Sequence, residues 1–208
     1  MASTNSPYGL RPINLLGGQS FAGSTRLYAM LSGYSVAVQY GDPVILFAGA
    51  AGVGGVVRRF NATTTATTAT NSATLLGVFV GCSYTDPVYG KVFRQNYPGS
   101  ITASDLQAYV VDDPDTLFQV QCNSAATQNY IGANFGLIQT VAGSTSANIN
   151  SGVSVNTAAL PDTTTATLPV RIVDFVNSTT STIGDAFTDV IVRINTHFMR
   201  TTTGNAIT

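Results

Sequence analysis

The 208-residue chain has no glutamate and a single lysine, Lys91, and charged residues make up 9% of it, against roughly 25% in an ordinary globular domain. A formal charge of −1 with scattered arginines, adjacent only at Arg58-Arg59, excludes the basic stripe of a nucleic-acid binder. Hydrophobic residues at 44% exclude a disordered chain, and no window approaches the ~18 uninterrupted apolar residues of a membrane helix.

Thr, Ser, Asn and Gln must then supply the water-facing side chains. Thr is stiff at χ1 and fits a pleated strand, so a chain of Thr, Val, Ile and Phe is writing β-sheet. A domain of this length buries enough apolar surface to hold without disulfides or metal. The N-terminus lacks a basic n-region and an apolar h-region, so no signal peptide is expected.

Residues 7–18 carry two prolines and three glycines, which exclude a helix. Residues before Pro are held in β or polyproline-II geometry, so an extended N-terminal arm over residues 1–20 is predicted. Leu10, Ile13, Leu15 and Leu16 are too apolar to float, and the arm is expected on a body, its own or a neighbour's.

A single all-β domain follows over residues 21–200. In Tyr34 to Tyr40, Val36, Val38 and Tyr40 share one face and Ala37 and Gln39 the other. Gly41-Asp42-Pro43 is a turn before a short strand from Val44 to Phe47. Val56 to Phe60 alternates weakly, and Leu75 to Val80 is apolar on both faces, as a central strand is. Turns at Asp86-Pro87, Gly90 and Tyr97-Pro98-Gly99-Ser100 bound a strand from Val92 to Gln95. Thr102 to Ala108 is the best helical candidate, and a poor one.

Ala108 to Val111 runs into the turn Asp112-Asp113-Pro114-Asp115. Leu117 to Cys122 has the clearest alternation, with Phe118, Val120 and Cys122 facing in. Phe135 to Val141, Val170 to Val176 and Val190 to Ile194 complete the strands. Near ten short strands joined by turn chemistry predict an antiparallel β-sandwich or a jelly-roll or barrel-like domain. Residues 61–74 and 143–167 are Thr/Ser/Ala/Asn-rich and read either as disordered linkers or as long ordered loops or flaps. Residues 201–208 form a C-terminal tail.

No catalytic signature assembles. His197 is the one histidine, and a surface or interface role at a strand end is the expectation for it, above a Ser–His–Asp or Cys–His mechanism. The chain offers three Cys or His residues where a structural zinc site needs about four. Asp112, Asp113 and Asp115 cluster around Pro114 as a turn, and calcium-loop spacing is absent. Gly49 to Gly55 has Gly55 where a phosphate loop needs Lys, and reads as a hairpin loop. Asn61-Ala62-Thr63 and Asn177-Ser178-Thr179 match the glycosylation sequon at chance level for a Thr-rich chain. Cys82 and Cys122 leave both a disulfide and free thiols open, with two buried thiols favoured in the absence of a secretory signal. No enzyme activity and no cofactor are expected.

Several segments resemble small virion proteins of tailed bacteriophages, most closely capsid decoration (cement) proteins of phages of aquatic bacteria. They are Ser6-Pro-Tyr-Gly-Leu-Arg-Pro-Ile-Asn, Phe21-Ala-Gly-Ser-Thr-Arg-Leu, Leu76-Gly-Val-Phe-Val-Gly-Cys-Ser-Tyr-Thr-Asp, Tyr109-Val-Val-Asp-Asp-Pro-Asp-Thr-Leu-Phe-Gln-Val and Leu168-Pro-Val-Arg-Ile-Val-Asp-Phe-Val. The resemblance spans residues 6 to about 195 and implies a homo-oligomer, dimer or trimer, on the outer capsid face. Its implied partner is the major capsid protein, with no nucleic acid and no membrane. The chain would be made in the host cytoplasm and end in the virion. Tyr8, Leu10, Arg11, Ile13, Leu15 and Leu16 of the arm are the expected capsid contacts. The alternative is a head-fibre or glycan-binding module, for which Tyr84, Tyr89 and Tyr97 near turns are the candidate aromatic platform, weakened by the absence of tryptophan.

Overall fold

The computed structural model describes residues 4–47, 55–61, 74–139, 149–159, 166–176 and 178–200. Over these the chain is all-β, with several antiparallel sheets and two single 3-10 turns, Gln128–Tyr130 and Phe198–Arg200. The strands in order are β1 (Arg11–Leu15), β2 (Arg26–Ala29), β3 (Pro43–Phe47), β4 (Val56–Arg59), β5 (Gly77–Asp86), β6 (Gly90–Arg94) and β7 (Gln107–Val111). There follow β8 (Thr116–Gln121), β9 (Asn134–Phe135), β10 (Leu137–Gln139), β11 (Val153–Val155), β12 (Val170–Phe175) and β13 (Asp189–Ile194).

One sheet has the order β1-β8-β13-β12-β9, a second β2-β7-β5-β3-β4 with β6 also on β5, and β10-β11 form a two-stranded third. Among the described residues none of them closes into a barrel. β3 and β6 pair with the two halves of β5, opposite β7. β5 is thus flanked on both edges, and its sequence is apolar on both faces because a core lies on each side of it.

The six-stranded sheet separates two cores. Val78 and Val111 face a cluster that holds Phe118, Val120, Ile172, Val190 and Val192 of the five-stranded sheet. Their chain neighbours Phe79 and Val110 point the other way, with Cys82 and Ala108, into a cluster around Val38, Leu76 and Tyr97. The period-2 alternation of strands produces this division.

The structure departs from the sequence expectations at particular places. Tyr34 to Tyr40 is no continuous strand: isolated bridges join Val38 to Tyr97 and Tyr40 to Asn150. Val38 and Gln39 are both buried while Val36 is 41% exposed, so the predicted division into two faces does not hold. The cause is a tight turn, in which the Gln39 N–H donates to Asp42 Oδ2 (2.8 Å) and the Asp42 N–H donates to the Gln39 carbonyl (3.0 Å). The helical candidate from Thr102 is a turn leading into β7.

The run from Phe135 divides between β9 and β10, which belong to different sheets, and residues 140–141 lie outside the described region. Within the Thr/Ser-rich stretch 143–167, residues 149–159 and 166–167 are described, and the first of these segments contributes β11, with Val153 and Val155 fully buried. The Gly-rich loop at 48–54, most of the insert at 61–74 and the tail at 201–208 lie outside the described residues.

Candidate interaction surface

The N-terminal arm folds onto its own body. Arg11 opposes Gln119 and Leu15 opposes Thr116, with a bulge between Pro12 and Asn14. Ahead of the strand the Ser6 N–H donates to Gln121 Oε1 (2.9 Å) and the Tyr8 hydroxyl to Asp189 Oδ1 (3.0 Å). Burial and the Asp189 carboxylate together push the Tyr8 hydroxyl above its ordinary range. The Arg11 guanidinium lies 4.3 Å from the Tyr8 ring centroid, a cation–π contact.

Gly9 has φ +75° and a Cβ there would stand 2.4 Å from the Ser151 Cβ, so only glycine lets the arm lie this close. Leu10 is fully buried in the core, and its N–H donates to the Gly41 carbonyl (2.9 Å). Leu10, expected as a contact for a partner, is enclosed by the chain's own core. Ile13 and Leu15 are partly buried, Arg11 is exposed and Leu16 is 46% exposed.

Under the arm sits a buried polar junction. Asp42, fully buried, accepts from Ser151 Oγ at Oδ1 (2.5 Å) and stands 3.5 Å from Arg59 Nε through Oδ2, a charge contact longer than a good hydrogen bond. Burial pushes its carboxyl up, while Arg59, the Gln39 N–H and Ser151 pull it down. Four separate stretches (the arm, the 39–42 turn, β4 and residues 149–155) meet there.

The largest exposed apolar side chains lie elsewhere, on the β5–β6 hairpin. Val88 is 79% exposed, Tyr89 82% and Phe93 67%. The hairpin is well braced: Asp86 Oδ1 accepts the Val88 N–H (2.8 Å) and the Tyr89 N–H (3.0 Å), an Asx turn. At its base Asp105 accepts the Thr85 N–H (2.9 Å) and hydroxyl (2.7 Å) and pairs with Lys91 Nζ (3.0 Å). These donors hold the exposed Asp105 carboxyl below its ordinary range.

Register explains why the hairpin shows an apolar face. Tyr84 and Val92, opposite one another, face one core, so Ser83 and Phe93 fall on the other face of the sheet, where Ser83 is covered and Phe93 is open. The same outward face continues through Gln107 and Ala29, and Leu27, 49% exposed, lies on it beside Tyr109. Of this surface the sequence pointed to Tyr89 alone, near a turn; Val88 beside it in the same turn was the further visible signal.

The aromatic platform does not form. Tyr84 and Tyr97 are 3% and 0% exposed, and Tyr97 donates its hydroxyl to the Tyr34 carbonyl (2.7 Å). Of the three tyrosines, Tyr89 alone is exposed.

The acidic turn also disperses. Asp112 Oδ2 takes the Tyr28 hydroxyl (2.6 Å) and Arg26 (3.1 Å); burial and the Asp112 carboxylate push Tyr28 up to about 12 against the pull of Arg26. Asp113 accepts the Asp115 N–H (2.9 Å), and Asp115 pairs with Arg200. Among the described residues no group of three His, Cys, Asp or Glu is placed to hold a metal ion. His197 is fully buried, contrary to the surface or interface role expected of it: the 3-10 turn that follows folds over it, and its Nδ1 accepts the Met199 N–H (3.1 Å). Burial lowers its pKa. Cys82 and Cys122 are buried free thiols, pushed up by burial to about 11 and about 12.

Comparison with protein-family models, with curated proteins and with solved structures finds no match.

Proposed function

We propose that this chain is a structural virion protein that binds the outer capsid surface and bridges neighbouring major capsid subunits, stabilising the head against the pressure of packaged DNA. The observation that carries the proposal is the braced hairpin with Val88, Tyr89 and Phe93 in the open. Exposed apolar side chains grouped on a stiff element mark contact sites, and burying each fully is worth about 1.5–3 kcal/mol before the costs of association. A chain with so few charges suits interfaces held by apolar burial and backbone pairing. The resemblance of the segments at 6–14, 21–27, 76–86, 109–120 and 168–176 to decoration proteins supplies the partner.

The finer architecture belongs to the same proposal. We read the five-stranded sheet over the six-stranded one as a β-sandwich, on the strength of the shared apolar cluster between them. The protein acts as a homo-oligomer, and no catalytic or nucleic-acid role is proposed. The experiment is a phage deleted for this chain. Decoration predicts that its particles release DNA at lower temperature than the parent while adsorbing to hosts normally, since a ligand of the assembled shell stabilises that state. Lost adsorption with unchanged heat stability would instead identify a host-recognition module.

A further inference from the structure

On the outer face of the five-stranded sheet, Arg171 of β12 stands directly opposite Arg193 of β13. Like charges directly opposite in an antiparallel pair destabilise it, and a chain with nine basic residues has placed two of them in that relation. The row runs Leu117, Arg193, Arg171, Asn134 across β8, β13, β12 and β9. Arg171 Nε donates to Asn134 Oδ1 (2.8 Å), which fixes the direction of that guanidinium. Arg193 Nε is buried without a hydrogen-bond partner among the described residues, while the side chain as a whole remains partly exposed.

The carboxylates that could neutralise the pair are engaged. Asp115 is held by Arg200. Asp174, opposite Ile191 and so one row along, accepts the Phe175 N–H (2.8 Å). Asp189, one row further, takes the Tyr8 hydroxyl. Positive charge from Arg171 and Arg200 bears on Arg193, with Asp115 opposing.

We propose that Arg171 and Arg193 form a recognition site for a carboxylate side chain of a protein partner. Two guanidinium groups on adjacent strands offer parallel N–H donors, the arrangement that a carboxylate fills with charge-assisted bonds. An aspartate or glutamate that meets the outer guanidinium nitrogens of both turns the opposed like charges into a salt-bridged triad. Charge placement selects a protein over a nucleic acid. The face is basic at the Arg193 end and carries Asp174 and Asp189 further along, so a polyanion tracking the sheet would meet two carboxylates, whereas a single acidic side chain need not. The site does not depend on the identity of the partner proposed above.

The test is an NMR titration of the full chain, following the arginine Nε–Hε resonances. The probe is N-acetyl-tetra-aspartate amide, with oligothymidylate in a parallel titration. The site predicts saturable shifts of the Arg193 and Arg171 Nε–H signals with the peptide, and a weakening of about tenfold or more in Arg193→Gln and in Arg171→Gln. Should either variant fail to fold, the wild-type resonances still decide. Unmoved Arg193 and Arg171 signals, undiminished binding by folded variants, or tighter binding of oligothymidylate at these resonances would each overturn the proposal.

Discussion

Truncating Leu10 to alanine should destabilise the whole domain, although the residue sits in what the sequence presents as a loose arm. Its side chain is fully buried in the cluster formed with Phe118, Val120 and Val153. Buried Leu→Ala changes cost about 2–5 kcal/mol, because the cavity adds to the lost transfer energy. For a domain of this length each kcal/mol lowers Tm by about 2–4 °C, so the expected fall is roughly 4–20 °C. Leu16, 46% exposed, is the internal control, and Leu16→Ala should stay within about 0.5 kcal/mol of wild type. Urea unfolding followed by tyrosine fluorescence measures both variants. A Leu10→Ala loss below about 1 kcal/mol, or equal losses at the two positions, would refute the keyed-in arm. The same reasoning bears on the arm's function: deleting residues 7–18 removes a core side chain and an edge strand, so a loss of attachment in that deletion reports on folding. Point changes at Arg11 and Leu16 are the cleaner probes of contact.

Asp42→Ala should cost about 3–5 kcal/mol in urea unfolding at neutral pH, since it leaves Arg59, Ser151 and the Gln39 N–H without their buried acceptor; a loss under 1 kcal/mol contradicts that junction. Burial raises the Asp42 pKa, so its own titration favours the fold fully below the ordinary carboxylate value of about 3.9 and loses that increment as pH rises through the folded value. The stability of wild type relative to Asp42→Asn should therefore increase on acidification, and a gap independent of pH or shrinking on acidification would count against it. Cys82 and Cys122 should stay unreactive toward a disulfide-exchange reagent in the native protein and both titrate in denaturant; one fast-reacting native thiol would contradict their burial. Replacing Val88, Tyr89 and Phe93 together by serine should leave Tm within a few degrees of wild type and abolish binding to undecorated capsids, as measured by co-sedimentation; full binding by the folded variant would remove the hairpin from the interface.

Strands whose side chains alternate against a core were readable in advance. The run from Leu117 to Cys122 shows it best: Phe118, Val120 and Cys122 are fully buried, as period 2 demands. Gln121 is the exception on the outward face, buried because the arm crosses it and its amide donates to the Thr4 carbonyl (3.1 Å). Tyr34 to Tyr40 shows where periodicity misleads, since the Asp42 carboxylate, just past its end, takes the Gln39 N–H and turns the stretch. β11 is three residues in a Ser- and Thr-rich context, too short to show a period, and it exists through its pairing with β10. The hairpin surface was hidden for a related reason. Nothing local says whether Tyr84 or Phe93 faces water until the register of β5 with β6 and β7 is known. The opposed arginines depend in the same way on a bulge between Ile172 and Asp174 that the sequence does not announce.

Imaging intact particles at a resolution that traces side chains decides whether this chain cements the shell. A cement protein gives density on the outer shell, spanning the junction between neighbouring major capsid subunits, with Val88, Tyr89 and Phe93 buried against them. Density confined to a fibre or tail tip, or a chain on the shell whose hairpin points into solvent, would contradict that role.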